Sequence, residues 1–265
     1  MDKTSTIVQF RSMVENLSTS KKNLSVAKNL VDFAKESKNS VPISDPDYLR
    51  ILGALQESVE FFVSVDKIKE STYIADSYID LLEELNNPDE MMKRTEDLSK
   101  VFFDKKDSVY HIYIEDVLNR VISFLDDDER LEELGDLLLS VAKNLQKQKV
   151  HEMAITYFER GIGYLIDADK EERVLKEIQA ILESARVLSL KSNEYSSQYM
   201  DLVNKLVEEA GIDISKDETT QLAYQSFSDH LLKSSKNVIE SHATQSGRLH
   251  KKKREFFKKK LIEED

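Results

Sequence analysis

Residues 135–168 read GDLLLSVAKNLQKQKVHEMAITYFERGIGYLIDA, and they give the clearest indication of the fold. Its apolar residues recur at steps of three and four, the spacing of an apolar stripe on an α-helix. One stripe ends at Leu145, and a second begins at Ala154 and continues through Phe158 and Ile162. The stretch therefore predicts two successive helices.

The same periodicity extends along most of the chain and predicts helices in pairs. The pairs begin near residues 3, 46, 88, 127 and 169, and a last helix runs from about Glu218 to Glu240. A period of roughly 40 residues is typical of helical repeat arrays, in which each hairpin buries its apolar face against its neighbours. We predict an all-α, right-handed superhelix of about five hairpins plus a C-terminal helix over residues 1–240. A globular helical bundle is the alternative, although nothing in a bundle requires an even period.

Local signals support several of these boundaries. Asp45 precedes Pro46, and the segment NNPDE (86–90) contains Pro88. Both prolines lie where a helix is predicted to begin, a position that favours proline. The segment VYHIYI (109–114) is rich in β-forming residues, but its apolar positions continue at helical steps, so we predict a helix there. Gly211 is expected to end a helix.

Residues 135–168 resemble a tetratricopeptide (TPR) repeat. The matching positions are Leu138, Val141, Ala142 and Leu145 in the first helix and Ala154, Phe158 and Gly161 in the second. In that family the small residues let the two helix backbones approach closely, and the aromatic residue fills the gap between successive hairpins. The chain departs from the family pattern at Leu138, Leu145 and Ile166, where tryptophan, tyrosine and proline are usual. The other hairpins fit only the period, so the chain is similar to looser TPR-like solenoids such as the soluble NSF-attachment proteins.

The resemblance implies a surface for a protein partner on the first helix of the repeat. The ligand-facing positions carried over from the family are Asp136, Leu139, Ser140, Lys143, Gln146 and Lys147. Of these, Asp136, Lys143, Gln146 and Lys147 are the predicted partner-binding residues. Repeats that bind the C-terminal carboxylates of chaperones have lysine and asparagine where Leu139 and Ser140 stand, so that activity is not implied.

The composition gives no indication of catalysis. The chain has no cysteine, which excludes thiolate chemistry and disulfides. Its five histidines are scattered, without a His-Glu-x-x-His or Glu-x-x-His pattern. We therefore predict a protein that is not an enzyme and has no metal, cofactor or small-molecule substrate.

The charge is unevenly distributed. Residues 248–265 carry eight Lys or Arg and four Asp or Glu, a net charge of +4, whereas the whole chain carries −12, which leaves −16 on residues 1–247. We treat residues 241–265 as a basic tail, helical or disordered. Its candidate polyanion-binding residues are Arg248, Lys251, Lys252, Lys253, Arg254, Phe256, Phe257, Lys258, Lys259 and Lys260. Lysines engage phosphates, and aromatic residues stack on bases or enter a lipid interface.

Three functions follow as hypotheses. The first is a scaffold or adaptor that binds another protein through the curved face of the array. The second is an RNA- or ribosome-associated factor anchored by the basic tail, and the third is an adaptor that uses the tail on an anionic membrane. The polar N-terminus and the lack of a long apolar stretch lead us to expect a soluble, cytoplasmic protein.

Overall fold

The computed structural model describes residues 23–42, 44–105, 107–126, 130–189, 195–211 and 220–229. These residues form helices and turns, with no strand among them. The helices are α1 (Leu24–Ser37), α2 (Pro46–Ser64), α3 (Ile68–Glu84), α4 (Pro88–Phe103), α5 (Ser108–Asp126), α6 (Leu131–Lys147), α7 (His151–Asp167), α8 (Glu171–Ser189) and α9 (Tyr195–Ala210). Residues 220–229 are helical as well. The all-α array of helical hairpins is thus confirmed, whereas the right-handed superhelix stays a prediction.

The chain divides into two compact units, Met1–Ala168 and Asp169–Asp265, which we call unit 1 and unit 2. Unit 1 contains α1 and the hairpins α2–α3, α4–α5 and α6–α7. Unit 2 contains the hairpin α8–α9 and the helical residues 220–229. The predicted first helix, near residue 3, and the predicted tail lie outside the described residues.

Most of the local signals act as expected. The Asp45 and Asn87 side chains accept hydrogen bonds from backbone N–H groups in the first turns of α2 and α4, and each is followed by a proline. The segment 109–114 lies within α5, because its residues continue a buried stripe through that helix. Gly211 follows α9 with a φ of +61°, the left-handed conformation in which glycine ends helices.

In unit 2, polar contacts connect the helical residues 220–229 to the α8–α9 hairpin. The Gln179 side chain donates to the Thr220 hydroxyl at 2.7 Å, and the Tyr224 hydroxyl donates to the Asn204 side chain at 2.6 Å. Phe227 is fully buried. These hydrogen bonds connect the helical residues 220–229 to both helices of the hairpin that precedes them.

The crossing of α6 and α7 explains why small side chains occur at several positions in the segment 135–168. A Cβ atom built on Gly161 would lie only 3.1 Å from the carbonyl oxygen of Gly135 and 3.1 Å from the backbone nitrogen of Leu139. Ala142 and Ala154 are both fully buried. The predicted close approach of the two backbones is confirmed, and Gly135, which the repeat pattern did not single out, is the residue opposite Gly161.

Adding bulk to this hairpin is expected to destabilise it. Because Ala154 is fully buried, we expect Ala154→Leu to lower the free energy of unfolding by about 1–3 kcal/mol through overpacking. Urea unfolding followed by circular dichroism measures the change. An unchanged midpoint would contradict tight packing around Ala154.

Two buried tyrosines provide a matched test of hydrogen bonding in unit 1. The Tyr48 hydroxyl donates to the carbonyl oxygen of Ala34 at 2.7 Å and so connects α2 to α1, whereas the Tyr78 hydroxyl has no hydrogen-bond partner among the described residues. We expect Tyr48→Phe to reduce stability by about 1 kcal/mol, and Tyr78→Phe to leave it unchanged or raise it, because a buried hydroxyl without a partner is costly. Thermal unfolding of both variants measures the difference. Equal losses would show that both hydroxyls are bonded.

Candidate functional site

The first helices of the hairpins in unit 1, namely α2, α4 and α6, contact one another in sequence order. The Arg94 guanidinium on α4 donates to the side-chain oxygen of Gln56 on α2 at 2.9 Å. The Ser140 hydroxyl on α6 donates to the carboxylate of Glu96 on α4 at 2.6 Å. We call the surface of these three helices the first-helix face.

Contacts between hairpins join positions that are about one period apart. On the first-helix face the paired residues are separated by 38 and 44 positions. On the second helices, Arg120 of α5 binds Asp80 and Glu83 of α3, at separations of 40 and 37 positions, and Arg160 of α7 binds Asn119 of α5 at a separation of 41. Successive hairpins therefore stack with equivalent positions facing each other, as the period of roughly 40 residues predicts.

A surface cleft of about 220 Å³ opens on the first-helix face between α4 and α6. It is lined by Met92, Lys93, Glu96, Glu133, Asp136 and Leu137. Leu137 is buried and Met92 is half-buried, so these two side chains supply its apolar part. Three carboxylates and one lysine supply its polar part, and we call this opening the α4–α6 cleft.

Neighbouring side chains position two of the three carboxylates, Glu96 and Glu133. Burial alone would raise the pKa of Glu96, but hydrogen bonds from Lys100 and Ser140 outweigh it and lower the pKa below its ordinary value. The Glu133 carboxylate pairs with Arg130, which also binds Asp89 at 2.5 Å. Both carboxylates are therefore fixed in place and available as hydrogen-bond acceptors.

The cleft contains Asp136 but not the other predicted partner-binding residues. Asp136 is exposed in the first half of α6. Lys143 and Gln146 are half-buried and Lys147 is exposed, all in the second half of α6. Since a helix rises 1.5 Å per residue, Lys147 lies about 16 Å along the axis from Asp136.

Two further positions implied by the TPR resemblance have other roles in the structure. Leu139 is only 2% exposed, and its Cγ would lie 3.0 Å from a Cβ atom on Gly161, so Leu139 packs inside the α6–α7 hairpin. The expectation that Leu139 faces a ligand is therefore wrong. Ser140 contributes indirectly, because its hydroxyl orients the Glu96 carboxylate at the cleft.

The sequence pattern did not indicate the α4 side of the cleft. Met92, Lys93 and Glu96 belong to a hairpin that matches the repeat only in its period. The period itself was the available signal, because Ser140 and Glu96 contact each other at a separation of 44 positions. Transferring the first-helix positions of residues 135–168 back by one period would have identified this part of α4.

The described residues contain neither a cluster of metal ligands nor a helix suited to a membrane. Within the described ranges, no three histidine, aspartate or glutamate side chains are grouped so that they could hold a metal ion. No helix in the described part of the chain combines the length and the apolar character needed to cross a bilayer. The tail residues from Arg248 to Lys260 lie outside the described residues, so their predicted role stays a prediction.

Comparison with protein-family models, with curated proteins and with solved structures finds no match to this chain.

Proposed function

We propose that this chain is a TPR-like, non-enzymatic scaffold or adaptor of the cytoplasm that binds a protein partner across the first-helix face. The observation that supports this most is the α4–α6 cleft. It lies between the first helices of two successive hairpins, and one of its walls contains Asp136, a predicted partner-binding residue.

The size of the cleft favours a protein partner over a small molecule. Pockets for small ligands usually enclose about 300–1,000 Å³. The α4–α6 cleft encloses about 220 Å³, which suits a single side chain that anchors a larger surface. Protein partners commonly bind through a few such anchors surrounded by weaker contacts.

The lining of the cleft indicates which kind of anchor fits. Met92 and Leu137 offer an apolar surface, and the Glu96, Glu133 and Asp136 carboxylates offer hydrogen-bond acceptors. A side chain with an apolar stem and a donor at its tip satisfies both. Lysine, arginine and tyrosine of a partner have this form.

A charge reversal in the cleft tests the proposal. The partner is first isolated with the full chain and then purified, and its affinity is measured for the full chain and for two variants. Asp136→Arg places a cation in the cleft, while Asp32→Arg makes the same charge change at an exposed position on α1. We expect Asp136→Arg to weaken binding at least tenfold, which is about 1.4 kcal/mol, and Asp32→Arg to change it less than twofold. Unchanged melting temperatures would show that both variants fold.

Two outcomes would contradict the proposal. Equal affinities for the two variants would place the binding surface away from the cleft. Copurification of RNA or lipid, but of no protein, that is lost from a chain ending at Ser246 would favour a factor anchored by the basic tail.

A further inference from the structure

We draw no further inference here: the strongest candidate, the exposed apolar side chains of Val65, Val109 and Ile112 at the loop end of the α2–α3 and α4–α5 hairpins, carries nothing because nothing in the structure shows what covers them.

Discussion

Replacing Phe102 by alanine is expected to lower the free energy of unfolding by about 3–5 kcal/mol. Phe102 is fully buried at the end of α4, and its ring centroid lies 5.0 Å from that of Tyr113 and 5.9 Å from that of Tyr110. Both tyrosines belong to α5, so the Phe102 ring holds the two helices of one hairpin together. Its removal forfeits this apolar burial and leaves a cavity that the surrounding helices fill only in part.

Val101 provides the control for this prediction, because it precedes Phe102 on the same helix and is only half-buried. We expect Val101→Ala to cost less than about 1 kcal/mol, since the smaller burial loss is partly offset by the higher helix propensity of alanine. Urea unfolding followed by circular dichroism, with hydrogen exchange of α4 and α5, separates the two variants. A loss below 1 kcal/mol for Phe102→Ala would mean that this ring does not connect the helices.

Replacing Gly161 by leucine is expected to cost about 3 kcal/mol, the upper end of the usual penalty for overpacking. Two of the three atoms closest to an added Cβ belong to the backbone of α6, at 3.1 Å each, and the third is the Cγ of Leu139 at 3.0 Å. Backbone atoms in a helix cannot rotate away as a side chain can. A side chain at position 161 therefore forces α6 and α7 apart and weakens the packing along the whole hairpin.

Gly163 provides a closely matched control, because it lies on the same helix and a Cβ atom built there has no neighbour within 4 Å. Glycine is a poor helix former, so Gly163→Leu is expected to stabilise the protein by up to about 1 kcal/mol. The two substitutions are chemically identical and should change the unfolding midpoint in opposite directions. A common direction would disprove the close crossing at Gly161.

The two pairs of variants also separate local from tertiary effects. By helix propensity alone, leucine should stabilise α7 relative to glycine at both positions 161 and 163. Alanine should likewise stabilise α4 relative to valine at position 101. The expected effects of leucine at Gly161 and at Gly163 differ only because α6 lies close to Gly161 and not to Gly163. The sequence pattern indicated Gly161 through the TPR resemblance, but it did not indicate Gly135, whose role depends on the helix opposite.

The candidate site likewise contains one residue that the sequence pattern predicted and another whose role depends on the neighbouring helix. Asp136 was predicted from one stretch of 34 residues, because the first-helix positions can be read from a repeat pattern. Glu96 was not predicted, because its importance comes from the Ser140 hydroxyl at 2.6 Å and from the ion pair with Lys100 at 2.8 Å. The pair with Lys100 is local to α4, but the contact with Ser140 depends on how far one hairpin is offset from the next.

Within the described residues, the sequence alone was sufficient to predict the helices, their pairing in hairpins and their period of roughly 40 residues. Helical spacing of apolar residues, the Asp45 and Asn87 caps and the glycine after α9 all act within a few residues of chain, and local free energies decide them. Only the packing of the helices reveals the partner of Gly161, the burial of Leu139 and the α4–α6 cleft. Each of these depends on the rotation and offset of one helix against another. Packing across the whole interface sets those two quantities, and the apolar stripe of a single helix does not encode them.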